Sequence, residues 1–312
     1  MIDSGAPPLS LPALIKEIGR GIKGARDLSL HDAEALFFAM LCGEVPDLEL
    51  GAILLSLRIK GESDDELLGF CRAMQKTTHG IGFNKPIIVL PTYNGTRRQP
   101  NLLPLLAFML RDAGQAVLIH GRHDFANREN PFPLFQACGI DTVDTREKVI
   151  QQLNCSGIAL TGTAVLNPML DRLLALRTRL GLRNPAHTLC KLLDPCPGRS
   201  IRVVNVTHPE YLIRMESLLK AQQTTALLMR GTEGEPFANP KRRPELLGFH
   251  GGKTLTLYPS EEGGAPPIPG WPESNDLEQN VALIQALLKA PENIPHPLVD
   301  QVNALTRLAA LL

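Results

Sequence analysis

Aromatic side chains are scarce in this chain. They make up 4% of it, and Trp271 is the single tryptophan. Proteins that grip single strands often stack bases on aromatic rings; here little material exists for such a platform, and any grip on nucleic acid must fall mainly on its backbone. Net charge is missing too, since 32 Lys and Arg balance 32 Asp and Glu. A global basic field is therefore excluded, and an anionic partner has to be met by local clustering. The six cysteines are scattered, with no CxxC pair and no Cys/His metal spacing, which excludes a zinc module read from pattern. Most lie in apolar helical contexts, as buried thiols do in a reducing compartment. No apolar run reaches the roughly 18 residues of a membrane span, and the start lacks a basic stretch followed by an apolar core. These absences read as a cytoplasmic protein with no membrane partner.

What is present is enough apolar residue, 44% of 312 positions, to fill one large core or two. The chain is organised around Leu90–Asn101, LPTYNGTRRQPN. An apolar run, PIIVL at 86–90, precedes it; a run of helical period, LLPLLAFMLRDA, follows; and a second strand-like run, QAVLIH at 115–120, comes next. That is a βαβ unit, in which ligands bind where loops leave the carboxyl ends of parallel strands. Backbone N–H groups and the following helix N-terminus form an anion site there, and Arg97 and Arg98 add charge to it. The reading is a phosphate-bearing partner, against the alternative of a solvated turn with two surface arginines.

Before this unit the chain reads as all-helical. A first helix is expected over 11–19. Three more carry start signals: Ser29 with Asp32 before 33–41, Asp47 before 48–60, and the capping box Ser63-Asp64-Asp65-Glu66 before 67–76. Between the first two lies Gly19–Arg26, a glycine-rich stretch with cations, read as a flexible turn or as a basic loop touching phosphate. A domain boundary is expected at 79–85, which separates a small helical domain over 1–78, joined by helices from about 166–193, from an α/β domain over 79–312. In the latter, strands at 86–90, 115–120, 157–160, 201–206 and 225–229 alternate with helices at 101–113, 131–138, 146–153, 168–180, 208–220, 276–289 and 297–311. Such alternation means a mostly parallel sheet with helices on both faces. Residues 255–275, rich in Gly and Pro, read as loop.

Ala33-Glu34-Ala35-Leu36, Gly43-Glu44-Val45, Leu57–Glu62, Ala107–Gly121 and Leu176–Pro195 with Arg179-Leu180-Gly181-Leu182-Arg183 carry a resemblance to anthranilate phosphoribosyltransferases. It covers most of the chain to about residue 235. It implies a fold of the nucleoside phosphorylase and class III phosphoribosyltransferase kind, dimeric through the helical part. The catalytic motifs of that family are replaced. Its GTGGD diphosphate loop falls on Pro91-Thr92-Tyr93-Asn94-Gly95 when Asn101 is aligned. Pro91 lacks an N–H, Tyr93 and Asn94 add bulk, and the acidic residue is gone. Its KHGNR becomes Ile119-His120-Gly121-Arg122-His123, and its magnesium-binding Asp-Glu falls on Pro236-Phe237, neither of which ligates a hard cation through its side chain. The chain is similar to the YbiB-type branch of this family, through Ile15–Gly21, Gly43–Gly51, Tyr93-Asn94-Gly95, Asn184–Leu189, His208–Tyr211, Gly231–Glu235 and Ala238–Pro240. That resemblance implies nucleic-acid binding in a basic groove by a homodimer.

The residues give the groove a composition. Arg97, Arg98, Arg122 and the cluster Lys241-Arg242-Arg243 belong to loops that should share one rim of the sheet. Pro240 and Pro244 should stiffen and expose that cluster. The resemblance puts Arg177, Arg179, Arg183 and Lys191 on helices across the cleft. Tyr93, Phe125 and Phe237 are the aromatic candidates, and Asn94 is a polar one. Each has a plainer alternative: Lys241-Arg242-Arg243 as a solvated turn, Arg177 and Arg183 paired with carboxylates in the helical domain. His120 and His123 are candidate bases, but no nucleophile or acid partner accompanies them. Glu233 and Glu235 read as general acid or base, or as a turn held by N–H bonds or paired with the cationic cluster. The expectation is a DNA- or RNA-binding protein, single strands included, without catalytic residues, metal or cofactor. The alternatives are a glycosyl- or phosphoribosyltransferase with altered donor binding, and a regulatory protein that binds a small phosphorylated metabolite.

Overall fold

The computed structural model describes residues 9–123, 127–264, 266–272 and 275–312. The chain divides into two units, one of residues 1–77 and 169–189, the other of residues 78–168 and 190–312. The first is helical: α1 (Leu11–Ile18), α2 (Leu30–Cys42), α3 (Asp47–Lys60) and α4 (Asp64–Thr77) precede the α/β part, and 169–189 returns to this unit. Ser29 caps α2 by accepting the N–H of Asp32 at 3.1 Å, as the sequence suggests. Asp47 is not a cap: α3 begins at Asp47 itself after Pro46, and the carboxylate of Asp47 lies 3.6 Å from Arg179. The Gly19–Arg26 stretch is an exposed turn in which Arg20 pairs with Glu17.

The box at Ser63 does more than start a helix. Glu66 is fully buried and accepts the N–H groups of Ser63 at 2.7 Å and Leu28 at 2.9 Å. Lys60, itself 7% exposed, sets its ammonium 2.6 Å from Glu66 and 2.6 Å from Asp27. Burial lowers the Lys60 pKa, but its two carboxylate partners outweigh that and leave it raised. A buried carboxylate is tolerated only when so thoroughly hydrogen-bonded, and here it fastens α3, α4 and the chain entering α2.

In the second unit, strands and helices alternate as expected, with the short β3 and α8 in addition: β1 (Ile87–Thr92), α5 (Leu103–Asp112), β2 (Ala116–Gly121), α6 (Pro131–Ala137), β3 (Thr142–Val143), α7 (Arg146–Ser156), β4 (Ile158–Gly162) and α8 (Thr163–Leu166). The expected helix at 168–180 is two pieces, α9 (Pro168–Ala175) and α10 (Arg177–Leu180), with α11 (Ala186–Leu189) and a 3₁₀ turn (Cys190–Leu192) after them. Then come β5 (Ser200–Val206), α12 (Glu210–Gln222), β6 (Ala226–Arg230), β7 (Leu246–His250), β8 (Lys253–Tyr258), α13 (Leu277–Lys289) and α14 (His296–Ala309). The β7–β8 hairpin overturns the loop expected at 255–258. Its turn is Gly251-Gly252, both at positive φ, the chemistry that two-residue hairpins require.

The sheet order is β3-β4-β2-β1-β5-β6-β7-β8. β1 to β6 pair in parallel, and β7 pairs antiparallel with both β6 and β8. Alternate residues of the central strands, Ile88, Leu90, Val117, Ile119, Ile201, Val203, Leu227 and Met229, pack with α5, α13 and α14 in one core. Their neighbours in sequence face the other side, so the strands read as continuous apolar runs buried on both faces. Chain direction reverses between β1 and β5: the strands after β1 build outward on one side, then β5 starts the other. The carboxyl ends of β1 and β5 therefore flank the crevice where α/β sheets bind ligands.

Candidate functional site at the carboxyl rim of the sheet

The crevice between β1 and β5 is filled by the protein's own chain. After β6 the turn Thr232-Glu233-Gly234-Glu235 folds back, with Glu235 N–H donating to the Thr232 carbonyl at 2.9 Å. Its central residues have φ of 51° and 91°, the two positive values of a type I′ turn. Gly234 has no substitute, because a Cβ there would lie 2.0 Å from the Asn94 amide nitrogen. Asn94 and Asn205 both donate to the Gly234 carbonyl, one from each wall of the crevice. Glu233 is a non-glycine residue at positive φ, a costly conformation that only surrounding contacts sustain.

Those contacts are made by the two carboxylates. Glu235 is fully buried and accepts the Thr92 hydroxyl at 2.5 Å, Asn94 N–H at 3.0 Å and Gly95 N–H at 2.9 Å. Glu233 accepts the N–H groups of Arg97 and Arg98, each at 2.9 Å. Thr96 N–H goes to the Glu129 carbonyl at 3.2 Å. Every backbone donor from residue 94 to 98 is thus taken within the chain, four of them by two carboxylates set side by side. This is an anion-binding nest whose anions are built in. Burial pushes the Glu235 pKa up, against the opposing pull of its three donors and the nearby Lys191 charge. Of the alternatives for this turn, the one held by N–H bonds is observed; pairing with Lys241-Arg242-Arg243 is not.

The structure sorts the candidate residues. Arg97 and Arg98 are exposed on the loop leaving β1, and Arg122 is half-buried directly after β2. Lys241 and Arg242 are exposed in the loop after β6. Arg243 corrects the expectation of three free cations: only 17% of its side chain is exposed, it pairs with Asp300 at 2.5 Å, and its guanidinium lies 5.3 Å from the Tyr258 ring. Lys191 is half-buried and donates to the Asn205 carbonyl at 3.2 Å, so its ammonium is tied to the β5 wall of the crevice. Arg177, Arg179 and Arg183 belong to the helical unit, where Arg177 is half-buried and Arg179 lies beside Asp47, and not to the α/β unit that carries this rim. Tyr93 and Asn94 are corrected as contacts for nucleic acid, because both are buried. The Tyr93 hydroxyl meets His120 Nδ1 at 3.0 Å and Thr163 Oγ1 at 2.8 Å. Phe237 is fully buried in the core, and Phe125 lies outside the described residues. Desolvation lowers the His120 pKa to about 3, so this imidazole is neutral at working pH.

Two rim cations escaped the sequence reading. Arg230 ends β6 and is exposed; its place at a strand's carboxyl end was the available signal. Arg128 donates to the Gly95 carbonyl at 3.1 Å, a long-range contact with no local signal. Gly121 is required by close approach, since a Cβ there would meet the Thr92 carbonyl at 1.8 Å.

A helical unit with a mostly parallel α/β unit, and a ligand crevice at the strand ends, define the scaffold of the anthranilate phosphoribosyltransferase class. Residues 12–78 match the family described as glycosyl transferase family, helical bundle domain. The chain is 39% identical over 294 residues to the uncharacterized protein YbiB of Escherichia coli strain K12, covering 93% of this chain and 91% of that one. It is 26% identical over 278 residues to anthranilate phosphoribosyltransferase of Thermus thermophilus, covering 88% and 82%. A crystal structure of the Thermus thermophilus enzyme superposes with a TM-score of 0.73 at 24% identity, over 96% of this chain and 90% of that one. The Saccharomyces cerevisiae enzyme in complex with PRPP and Mg does so with 0.69 at 14%, over 98% and 96%. The chain belongs to the anthranilate phosphoribosyltransferase-like family that includes YbiB.

The donor and metal of that scaffold do not fit this rim. The nest's amides are spent on Glu233 and Glu235, and the family's acidic pair is Pro236 and Phe237, both buried. Among the described residues no three His, Cys, Asp or Glu side chains gather as a metal site.

The nest yields a stability test. Glu235→Ala strands two buried N–H groups, each worth about 1–3 kcal/mol, so urea denaturation should show a loss of about 2–6 kcal/mol. Glu235→Gln keeps an oxygen for both and lets the Thr92 hydroxyl accept from its amide; the loss should be about 1 kcal/mol or less. The raised pKa of Glu235 makes its ionisation unfavourable in the folded state. Its protonation therefore adds stability that is fully present below the ordinary carboxylate pKa and is lost as pH rises through the raised value. Wild type should gain on Glu235→Gln as the pH is lowered.

Proposed function

We propose that this protein binds the phosphate backbone of nucleic acid at the carboxyl rim of its sheet, with little sequence preference and without phosphoribosyl transfer. The observation that supports this reading is the loop after β1. Glu233 holds the backbone of Arg97 and Arg98 while both residues stay exposed, on the same carboxyl rim of the sheet as the strand-end cations Arg122, Arg230, Lys241 and Arg242. A backbone-held guanidinium pair loses less freedom on meeting phosphates, and arginine matches them bidentately. Contacts to phosphate fix position without reading sequence. Among the described residues no helix is long and apolar enough to cross a membrane, and we place the activity in the cytoplasm.

A homodimer belongs to the proposal. In the helical unit α3 and the 180–184 segment line an apolar concavity of about 510 Å³. Leu48, Leu55 and Leu182 there are 82%, 47% and 47% exposed. A second copy of the same face would cover them. Light scattering over a dilution series should give twice the chain mass, and Leu48→Glu with Leu182→Glu should give the chain mass; a monomer for wild type would contradict the dimer.

Binding to labelled oligonucleotides should weaken with salt, with a log–log slope of roughly −0.7 per contacted phosphate for single strands and −0.9 for duplex. Arg97→Ala with Arg98→Ala should make that slope shallower by about one to two contacts and leave sequence preference unchanged. Affinity indifferent to salt would refute electrostatic backbone binding.

The transferase alternative has its own measurement. Purified protein with anthranilate, phosphoribosyl diphosphate and Mg²⁺ should release no phosphoribosylated product above the protein-free rate. Turnover would show that an external diphosphate displaces Glu233 and Glu235.

A further inference from the structure

A second cavity, of about 490 Å³, lies within the α/β unit on the α12 side of the sheet, apart from the β1–β5 crevice. Strand alternation builds it. Leu227, Met229 and Leu246 point into the core beside α13 and α14, so Leu228, Arg230, Glu245 and Leu247 present the opposite face. Leu228 and Leu247 are paired across β6 and β7. They form an apolar floor, which Leu212 of α12 extends. The same register carries Arg230 and Glu245 one pair closer to the rim, and Arg242 arrives from the loop above.

The two arginines differ from their neighbour. Arg243 is committed to Asp300 and the Pro259 carbonyl. Arg242 donates its Nε to the Glu261 carbonyl at 2.8 Å, which fixes the guanidinium and leaves its terminal nitrogens for something else. Among the described residues the Arg230 side chain makes no hydrogen bond or ion pair, although it is exposed. The carboxylate of Glu261, whose carbonyl holds Arg242, is spoken for by His296 at 2.9 Å and the Arg243 N–H at 3.1 Å. Those contacts, the backbone N–H first, hold its carboxyl below the usual range.

We infer that this cavity is a binding site for a small phosphate monoester with an apolar body. The volume falls within the roughly 300–1,000 Å³ of ligand sites, and the lining joins an apolar floor to a charged wall in about equal parts. Arg230 and Arg242 take the dianionic phosphate, Leu212 and Leu247 take the body above the buried Leu228, and Glu245 accepts from a hydroxyl on it. The site goes beyond nucleic-acid binding and does not need it: Arg97 and Arg98 serve the rim alone, the leucine floor serves the small ligand alone, and Arg230 and Arg242 border both.

Phenyl phosphate, inorganic phosphate and dimethyl phosphate are the probes, titrated calorimetrically into the full chain at fixed ionic strength. Phenyl phosphate should bind tightest, through floor and charge together. Inorganic phosphate should be weaker for want of a body, and dimethyl phosphate, a model for a nucleic-acid diester, weakest. Arg230→Gln should weaken phenyl phosphate about tenfold or more, as loss of one charge-assisted pair does, with circular dichroism unchanged. Arg242→Gln should do the same. Arg98→Ala should leave phenyl phosphate unaffected while it weakens oligonucleotide binding. No heat with phenyl phosphate, equal affinity for phenyl and inorganic phosphate, or equal loss in Arg98→Ala would each overturn the assignment. Oligonucleotide binding that survives such a result leaves the rim proposal standing, so the two fail separately.

Discussion

Two carboxylates on a four-residue turn, donated to by four backbone amides of another loop, hold the carboxyl rim together. Glu233 and Glu235 fix the path of residues 94–98, and that path decides which side chains go inward and which outward. Tyr93 and Asn94 are drawn into the crevice. Arg97 and Arg98 emerge from it. A free phosphate competing for these amides faces tethered rivals. Intramolecular ligands act at effective concentrations on the order of millimolar or higher, and bonds to charged groups contribute about 1.5–3 kcal/mol each. A diphosphate would also have to expel a buried glutamate whose raised pKa records how far burial opposes its charge. In this chain the crevice between β1 and β5 is occupied by its own turn.

The alternation of strands and helices is legible because buried parallel strands are written as short apolar runs between helical periods, and β1, β2, β4, β5 and β6 follow that rule. The β7–β8 hairpin is written too, as Gly251-Gly252 between runs of Leu, Phe and Thr, but neighbouring glycines and prolines mask it. The closed crevice is only half legible. Pro91 signals a lost amide, yet it lies within β1 and removes nothing from the nest. The lost acidity at the loop can be read from the sequence, whereas its return from residues 233 and 235 cannot, because the contact spans about 140 positions in the chain and no local pattern encodes it. Tyr93 resembles a stacking surface because sequence position near a ligand loop says nothing about which way a ring turns. His120 and Thr163, far away in sequence, give its hydroxyl a reason to turn inward.

Zero net charge and a cationic rim are compatible through the same contacts. Four acidic residues near the rim are directed at backbone donors or at particular cations. Glu233 and Glu235 satisfy amides, Asp300 takes Arg243, and Glu261 takes a backbone N–H and His296. Among the described residues Arg97, Arg98 and Arg230 have no such carboxylate partner. Charges beyond a Debye length, about 8 Å at physiological salt, are screened from one another, so an approaching polyanion responds to the patch in front of it and not to the sum over the chain. An acid that binds an amide also costs the neighbouring guanidinium less of its reach than one that pairs with it directly. Glu233 thus holds the arginine loop in place without occupying either arginine. The turn that takes up the amides of the loop after β1 is, by the same two carboxylates, the support on which the exposed arginines of that loop are presented.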